Sequence, residues 1–181
     1  MMKLCMFSPT DLALERGWPG RIDSDRVIQL AAQTLQSFFS GGGLAREHAE
    51  YPLDGVVFRA PVLHPPSIRL FDEDGDFVFA NPAAILAADD VVHAPMGAAD
   101  VVPVRRVAAI VDADGGIGGF TPLIEWVAPE LEGAKARDFA LSLGPIVTTP
   151  DEEMPPGIDW ERLVAHAAAN TRLYPGDILA V

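Results

Sequence analysis

Short apolar runs separated by turn residues dominate the pattern along this chain. Strand-length runs are KLCMFS near the start, VVFR and IRLF on either side of a proline-rich turn, VVPVRRVAAIV at 101–111, and DILAV at 177–181. Pro103 indicates an edge or a bulge in its strand, because proline cannot donate to a ladder. FTPLIEWV is consistent with either a strand or a short helix.

Two segments have helical spacing. The first follows a candidate cap at Asp23 or Ser24. Its apolar face consists of Val27, Ile28, Ala31, Leu35 and Phe38. The second follows a candidate cap at Asp159 and directs Leu163, Val164 and Ala167 inward. Because strands are many, helices few and their alternation irregular, the pattern predicts an α+β domain that is mainly β.

Composition and charge narrow the function classes. The chain has 181 residues, of which 49% are hydrophobic and 22% charged, as in a globular domain with one core. The net charge of −13 argues against nucleic acid and anionic membranes as partners. Cys5 is the single cysteine, so neither a disulfide nor a cysteine–zinc site is expected. Without a signal-peptide pattern or an apolar run of about 20 residues, the expected location is the cytoplasm.

Several segments in order resemble the fumarylacetoacetate hydrolase superfamily. MKLCMFSP with GRIDSDRVIQLAA is similar to the small opening module of that family, and LDGVVFRAPVLHPPSIR is similar to its linker into the catalytic β-roll. Further matching segments are FVFANPAAI, GGFTPLIEWVAPELE, AKARDFALSLGPIVTTPDE and LVAHAAANTRLYPGDIL. The resemblance implies a small N-terminal module at 1–60 and a shortened β-roll domain at 61–181. It also implies a homodimer, or a hetero-oligomer with a related subunit.

The family's divalent-cation site is the main departure from this resemblance. Family members hold magnesium or manganese with carboxylates, and the cation chelates an oxo-acid or dicarbonyl substrate and stabilises the enolate. In the matching segments, the four ligand positions are Leu70, Val104, Arg106 and Glu125. One carboxylate beside an arginine is a poor site for a cation that needs several oxygen ligands. We therefore expect neither a metal nor a cofactor.

Other departures concern the pocket. Only DEDGD stands where the family has a longer segment with a lid and an acid–base histidine, and the sequence stops at Val181, where the family continues into a glycine-rich turn. A family lysine corresponds to Arg137. Loss of ligands, lid and pocket floor together favours a non-catalytic or regulatory paralogue.

The alternative function is a metal-independent enzyme that uses Arg106 in place of the cation. Such a site would carry out decarboxylation, tautomerisation, cyclisation or C–C hydrolysis of a small oxo-acid or β-dicarbonyl compound. The candidate catalytic residues are Arg106, Glu125 and Arg137, and the candidate contacts for a small anionic ligand are Arg69, Arg106 and Arg137. We expect an Arg106–Glu125 salt bridge at the metal position, unless Arg106 is merely an exposed edge residue.

Overall fold

The computed structural model describes residues 2–12, 14–150 and 154–181. Strands are its main regular secondary structure, which confirms the expected α+β, mainly β, class. The strands are β1 Lys3–Pro9, β2 Trp18–Asp23, β3 Arg26–Leu30, β4 Glu47–Pro52, β5 Val56–Arg59, β6 Ile68–Phe71, β7 Phe77–Phe79, β8 Ile85–Ala87, β9 Val102–Val111, β10 Ile117–Val127, β11 Leu141–Leu143, β12 Ile146–Thr148 and β13 Ile178–Ala180. The α-helices are α1 Leu35–Ser40 and α2 Trp160–Ala168.

The strands join in one branched, mixed sheet. Its long path runs β4–β3–β2–β1–β12–β10–β9–β13–β6–β7, with β5 beside β1, and β11 paired to both β10 and β8. The β13–β6 and β11–β8 ladders are parallel, whereas β9 and β10 form a long antiparallel hairpin. The β9–β10 hairpin positions the residues of the candidate site. The division of the chain at residue 60 stays a prediction.

The main apolar core lies on one face of this hairpin. It includes Ala108 of β9 and Leu123 of β10, together with Leu70 of β6. Since side chains alternate along a strand, Arg106 lies on the same face as Ala108, and Glu125 lies on the same face as Leu123. Arg106 and Glu125 therefore lie on the core-facing side of the hairpin, nearer to its open end than Ala108 and Leu123.

The first predicted helix is wrong over most of its length. Asp23 and Arg26 pair across a two-residue hairpin turn in which Ser24 has a φ of 54°. The residues that follow form β3, and only Leu35–Ser40 is helical, with Thr34 as its cap. The prediction failed because β-branched residues and a tight turn favour a strand, although the same apolar positions also fit a helix.

The second predicted helix is confirmed. Asp159 caps α2, and its Oδ1 accepts a hydrogen bond from the backbone N–H of Arg162 at 3.1 Å. Leu163 and Ala167 are buried, as expected from the spacing. In the part of the chain that is described, no helix has the length and apolar character needed to cross a bilayer.

Cys5 offers a simple test of how tightly the sheet packs. Its side chain in β1 is fully buried, and burial raises the pKa of the thiol to about 12. Because the thiolate is the reactive form, we expect the native protein to react with Ellman's reagent about a thousandfold more slowly than the guanidinium-unfolded chain at the same pH. Absorbance at the thionitrobenzoate band measures both rates. Rapid release of one equivalent from the native protein would contradict the packing around β1.

Candidate functional site

The β9–β10 hairpin brings together two of the residues expected from the sequence. In its ladder, Arg106 lies opposite Leu123, and Val104 lies opposite Glu125. Arg106 and Glu125 are therefore diagonal neighbours on one face of the hairpin, within reach of each other's long side chains. The register itself aligns the two charges.

Arg106 and Glu125 form a close ion pair. Nε of Arg106 donates a hydrogen bond to Glu125 Oε2 at 2.9 Å, and Nη2 lies 2.9 Å from the same oxygen. Nη1 donates to the backbone oxygen of Phe71 in β6, also at 2.9 Å. The Glu125 side chain is 1% exposed and that of Arg106 is 16% exposed. The three guanidinium nitrogens of Arg106 are thus all engaged, and the pair is largely shielded from solvent.

Arg137 adds a second cation to Glu125. It follows a 3₁₀ turn at Gly133–Ala136, and its Nη1 lies 3.3 Å from Glu125 Oε1. Among the described residues, Oε1 has no hydrogen-bond donor, so this contact is an ion pair without hydrogen-bond geometry. The Arg137 side chain is 47% exposed. The charged cluster of Arg106, Glu125 and Arg137 therefore has a partly buried arginine, a buried carboxylate and a half-exposed arginine.

The fourth position of interest, Leu70, faces the same core. In the register of neighbouring strands, Leu70 pairs with Ala180 of β13, which pairs with Ala108 of β9. All three belong to one buried cluster, on the face that also carries Arg106. Leu70, Arg106 and Glu125 therefore lie on the same face of the sheet.

The side chains in this region do not fit a divalent cation. Magnesium and manganese prefer several carboxylate or carbonyl oxygens, and Leu70, Val104 and Arg106 supply none. Over the described stretches 2–12, 14–150 and 154–181, no group of three or more His, Cys, Asp or Glu side chains is arranged so that it could hold a metal ion. Glu125, the remaining carboxylate, already has two arginine partners.

A pocket of about 360 Å³ lies beside the charged cluster. Its lining residues are Leu70, Val78, Phe79, Ala80, Asn81, Gly133, Ala134, Arg137 and Asp138. Neither Arg106 nor Glu125 is among them. The sequence pattern did not indicate the wall contributed by Val78. The signal in the sequence was the apolar run FVF at 77–79, which forms the edge strand β7 and leaves Val78 54% exposed.

Arg69 lies apart from the charged cluster. It is 4% exposed, and its guanidinium lies 5.2 Å from the ring centre of Phe79 and 5.5 Å from that of Phe77. Nη1 donates to Ser67 and lies 3.9 Å from Oδ2 of Asp177. Arg69 and Asp177 thus form a buried ion pair on the face of β6 opposite to the charged cluster. The assignment of Arg69 to a ligand-binding site stays a prediction.

Solved structures align with nearly all of this chain. A maleylpyruvate hydrolase from Sphingobium sp. SYK-6 is similar with a TM-score of 0.76 and 22% identity, over 99% of this chain and 87% of that chain. A 5-carboxymethyl-2-hydroxymuconate delta-isomerase from Mycobacterium smegmatis is similar with a TM-score of 0.79 and 18% identity, over 99% and 87%. The chain has the fumarylacetoacetate hydrolase fold. The expected resemblance is thereby confirmed at the level of the fold.

Other proteins with the fumarylacetoacetate hydrolase fold were solved with cations. A 2-keto-3-deoxy-D-arabinonate dehydratase, complexed with magnesium and 2,5-dioxopentanoate, has a TM-score of 0.74 and 15% identity over 99% of this chain and 86% of that chain. The Sphingobium hydrolase was also solved with manganese(II) and pyruvate. No protein-family model and no curated protein sequence matches this chain. Hydrolase, isomerase and dehydratase share this fold, so function has to be argued from the site.

Proposed function

We propose that this chain is a non-catalytic relative of the fumarylacetoacetate hydrolase-like enzymes, with the charged cluster in the place of the cation. The observation that carries the proposal is the buried Glu125 carboxylate, held by Arg106 on one oxygen and approached by Arg137 on the other. A carboxylate committed in this way is not free to bind a metal or to accept a substrate proton. The cluster stabilises the hairpin in place of metal coordination.

The same contacts weigh against an enzyme that uses Arg106 as a substitute cation. All three nitrogens of its guanidinium already meet Glu125 or the Phe71 carbonyl. To bind a substrate carboxylate through its Nε–Nη2 edge, Arg106 would have to leave Glu125 buried and without its closest partner. That loss costs several kcal/mol, so the arrangement favours a structural role for Arg106.

Acylpyruvate turnover tests this proposal directly. We expect no measurable C–C hydrolysis, with or without magnesium or manganese, at a detection limit about 10⁴-fold below the median enzyme turnover of about 10 per second. The loss of substrate absorbance measures the rate, and the Sphingobium maleylpyruvate hydrolase serves as the active control. Turnover that disappears in an Arg106→Met variant would instead support the metal-independent enzyme.

A non-catalytic chain needs a role for its preserved fold. We propose that it acts as a structural or regulatory subunit in the cytoplasm, either as a homodimer or beside a related subunit. Light scattering coupled to size exclusion measures the first assembly. Co-expression with an active relative tests the second, and a monomer under both conditions would contradict the subunit role.

A further inference from the structure

We propose that the pocket beside the charged cluster binds a small monocarboxylate with an apolar chain, and that it does so without a divalent cation. This inference rests on the proposed function, because it takes the metal position as filled by Arg106 and Glu125. It adds a ligand class and a binding site whose polar anchor is Arg137.

The walls of the pocket define the apolar part of the ligand. Leu70 and Val78, which share one face of the β6–β7 ladder, line it together with two alanines, and its volume of about 360 Å³ lies within the range of small-molecule sites. Phe79 also borders the pocket, but its ring lies on the opposite face, near Arg69. Val78 is 54% exposed, although it is a large apolar side chain. Covering it with a hydrocarbon chain or ring removes apolar surface from water, which is favourable.

The polar groups of the wall leave few choices for recognition. The Asn81 amide nitrogen donates to the backbone oxygen of Asp138, and Asn81 Oδ1 accepts from the N–H of Ala83. The Asp138 carboxylate pairs with Lys135. These groups are already engaged within the protein. The ligand therefore needs one polar group only, opposite Arg137.

Arg137 is the charged residue of the pocket wall that is open to a ligand. Asp138, the other charged residue that lines the pocket, has its carboxylate paired with Lys135. A ligand carboxylate would therefore be attracted to the Arg137 guanidinium, whereas an ammonium group would be repelled by it.

Arg137 can accept a ligand without leaving Glu125 unpaired. Its side chain is 47% exposed, lines the pocket, and approaches Glu125 Oε1 without hydrogen-bond geometry. Arg106 separately satisfies Oε2 at 2.9 Å. A guanidinium has five N–H donors in a planar fork, so Arg137 has donors left for a bidentate contact with a carboxylate.

Isothermal titration of the full chain with sodium hexanoate tests the site. We expect saturable binding of hexanoate, and binding of the uncharged hexanamide that is weaker by about tenfold or more, because a hydrogen bond to a charged group is lost. Arg137→Met should weaken hexanoate by the same factor. Arg105→Met is the matched control, since Arg105 is exposed on the opposite face of β9 and should leave the affinity unchanged. Circular dichroism checks that each variant is folded.

Three results would overturn the site: no hexanoate isotherm, equal affinity for hexanamide, or full affinity in Arg137→Met. A second titration uses 2-oxohexanoate with and without magnesium. Equal affinity under the two conditions supports cation-free binding, and tightening of more than about tenfold by magnesium overturns it. Chemical conversion of 2-oxohexanoate, followed by proton NMR, would contradict the non-catalytic function, while the hexanoate isotherm and its loss in Arg137→Met would still support this site.

Discussion

The variant Arg106→Met is expected to lower the free energy of unfolding by about 3 kcal/mol, which corresponds to a fall of roughly 6–12 °C in Tm for a chain of this length. Glu125 is 1% exposed, and without Arg106 its carboxylate would keep only the looser contact with Arg137. The Phe71 carbonyl would also lose its donor from Arg106. Methionine retains much of the apolar stem, so the loss reports on the charge rather than on packing. Urea unfolding followed by circular dichroism gives the free energy.

Two further variants separate the ion pair from general effects of losing an arginine. Arg105→Met removes an exposed cation next to Arg106 in sequence but on the other face of β9, and it should change stability by no more than about 0.5 kcal/mol. Adding Glu125→Gln to Arg106→Met should recover part of the loss, because the buried charge is then gone. A neutral Arg106→Met, or a double variant no more stable than the single one, would contradict the role of the pair.

Titration of the wild-type chain with magnesium or manganese is expected to give no saturable heat. The substitutions Leu70→Asp, Val104→Glu and Arg106→Glu restore three carboxylates. They should create a divalent-cation site, because these positions lie on the same face of the sheet as Glu125. We expect manganese to bind this triple variant with a dissociation constant below about 1 mM, a gain of more than about 4 kcal/mol in binding free energy. Isothermal titration measures both proteins, with circular dichroism as the check on folding.

The control for the restored site is the same triple variant with Glu125→Gln, which should lose much of the new affinity because one oxygen anion is removed. If the folded triple variant binds no manganese, the four positions do not form one ligand set in this chain. A saturable wild-type site that disappears in Glu125→Ala would contradict the proposal that the charged cluster replaces the cation.

The fold could be predicted best where turns and strands had a single interpretation. The apolar run around Arg105 and Arg106 became β9, and Pro103 lies beyond the part of β9 that β13 pairs with, where the missing donor costs little. The segment after Ser24 was misread because Val27 and Ile28 fit both the spacing of a helix and a buried strand. Only the two-residue turn that precedes them distinguishes the two, and its residues also resemble a helix cap.

The candidate site was predictable as a set of residues but not as a geometry. The resemblance identified Arg106, Glu125 and Arg137, and the structure brings all three together. The alternation of side chains along β9 does not predict that Arg106 Nη1 reaches the Phe71 carbonyl, because Phe71 belongs to β6, which is far from β9 in sequence. The apolar wall at Val78 was missed for the same reason, because it depends on how β7 lies beside the turn that carries Arg137.

The position of β13 between β9 and β6 has a consequence for synthesis on the ribosome. The β9–β10 hairpin can pair as soon as residue 127 has emerged, and the Arg106–Glu125 contact is contained within it. The β6–β7 arm, although made earlier, is joined to β9 through β13, which is made about 50 residues later. The wall that carries Leu70 and Val78 therefore lacks its strand neighbour until β13 has been made. In a nascent chain stalled before residue 178, both charges of the ion pair would be present while the strand that joins the pocket wall to β9 would be missing.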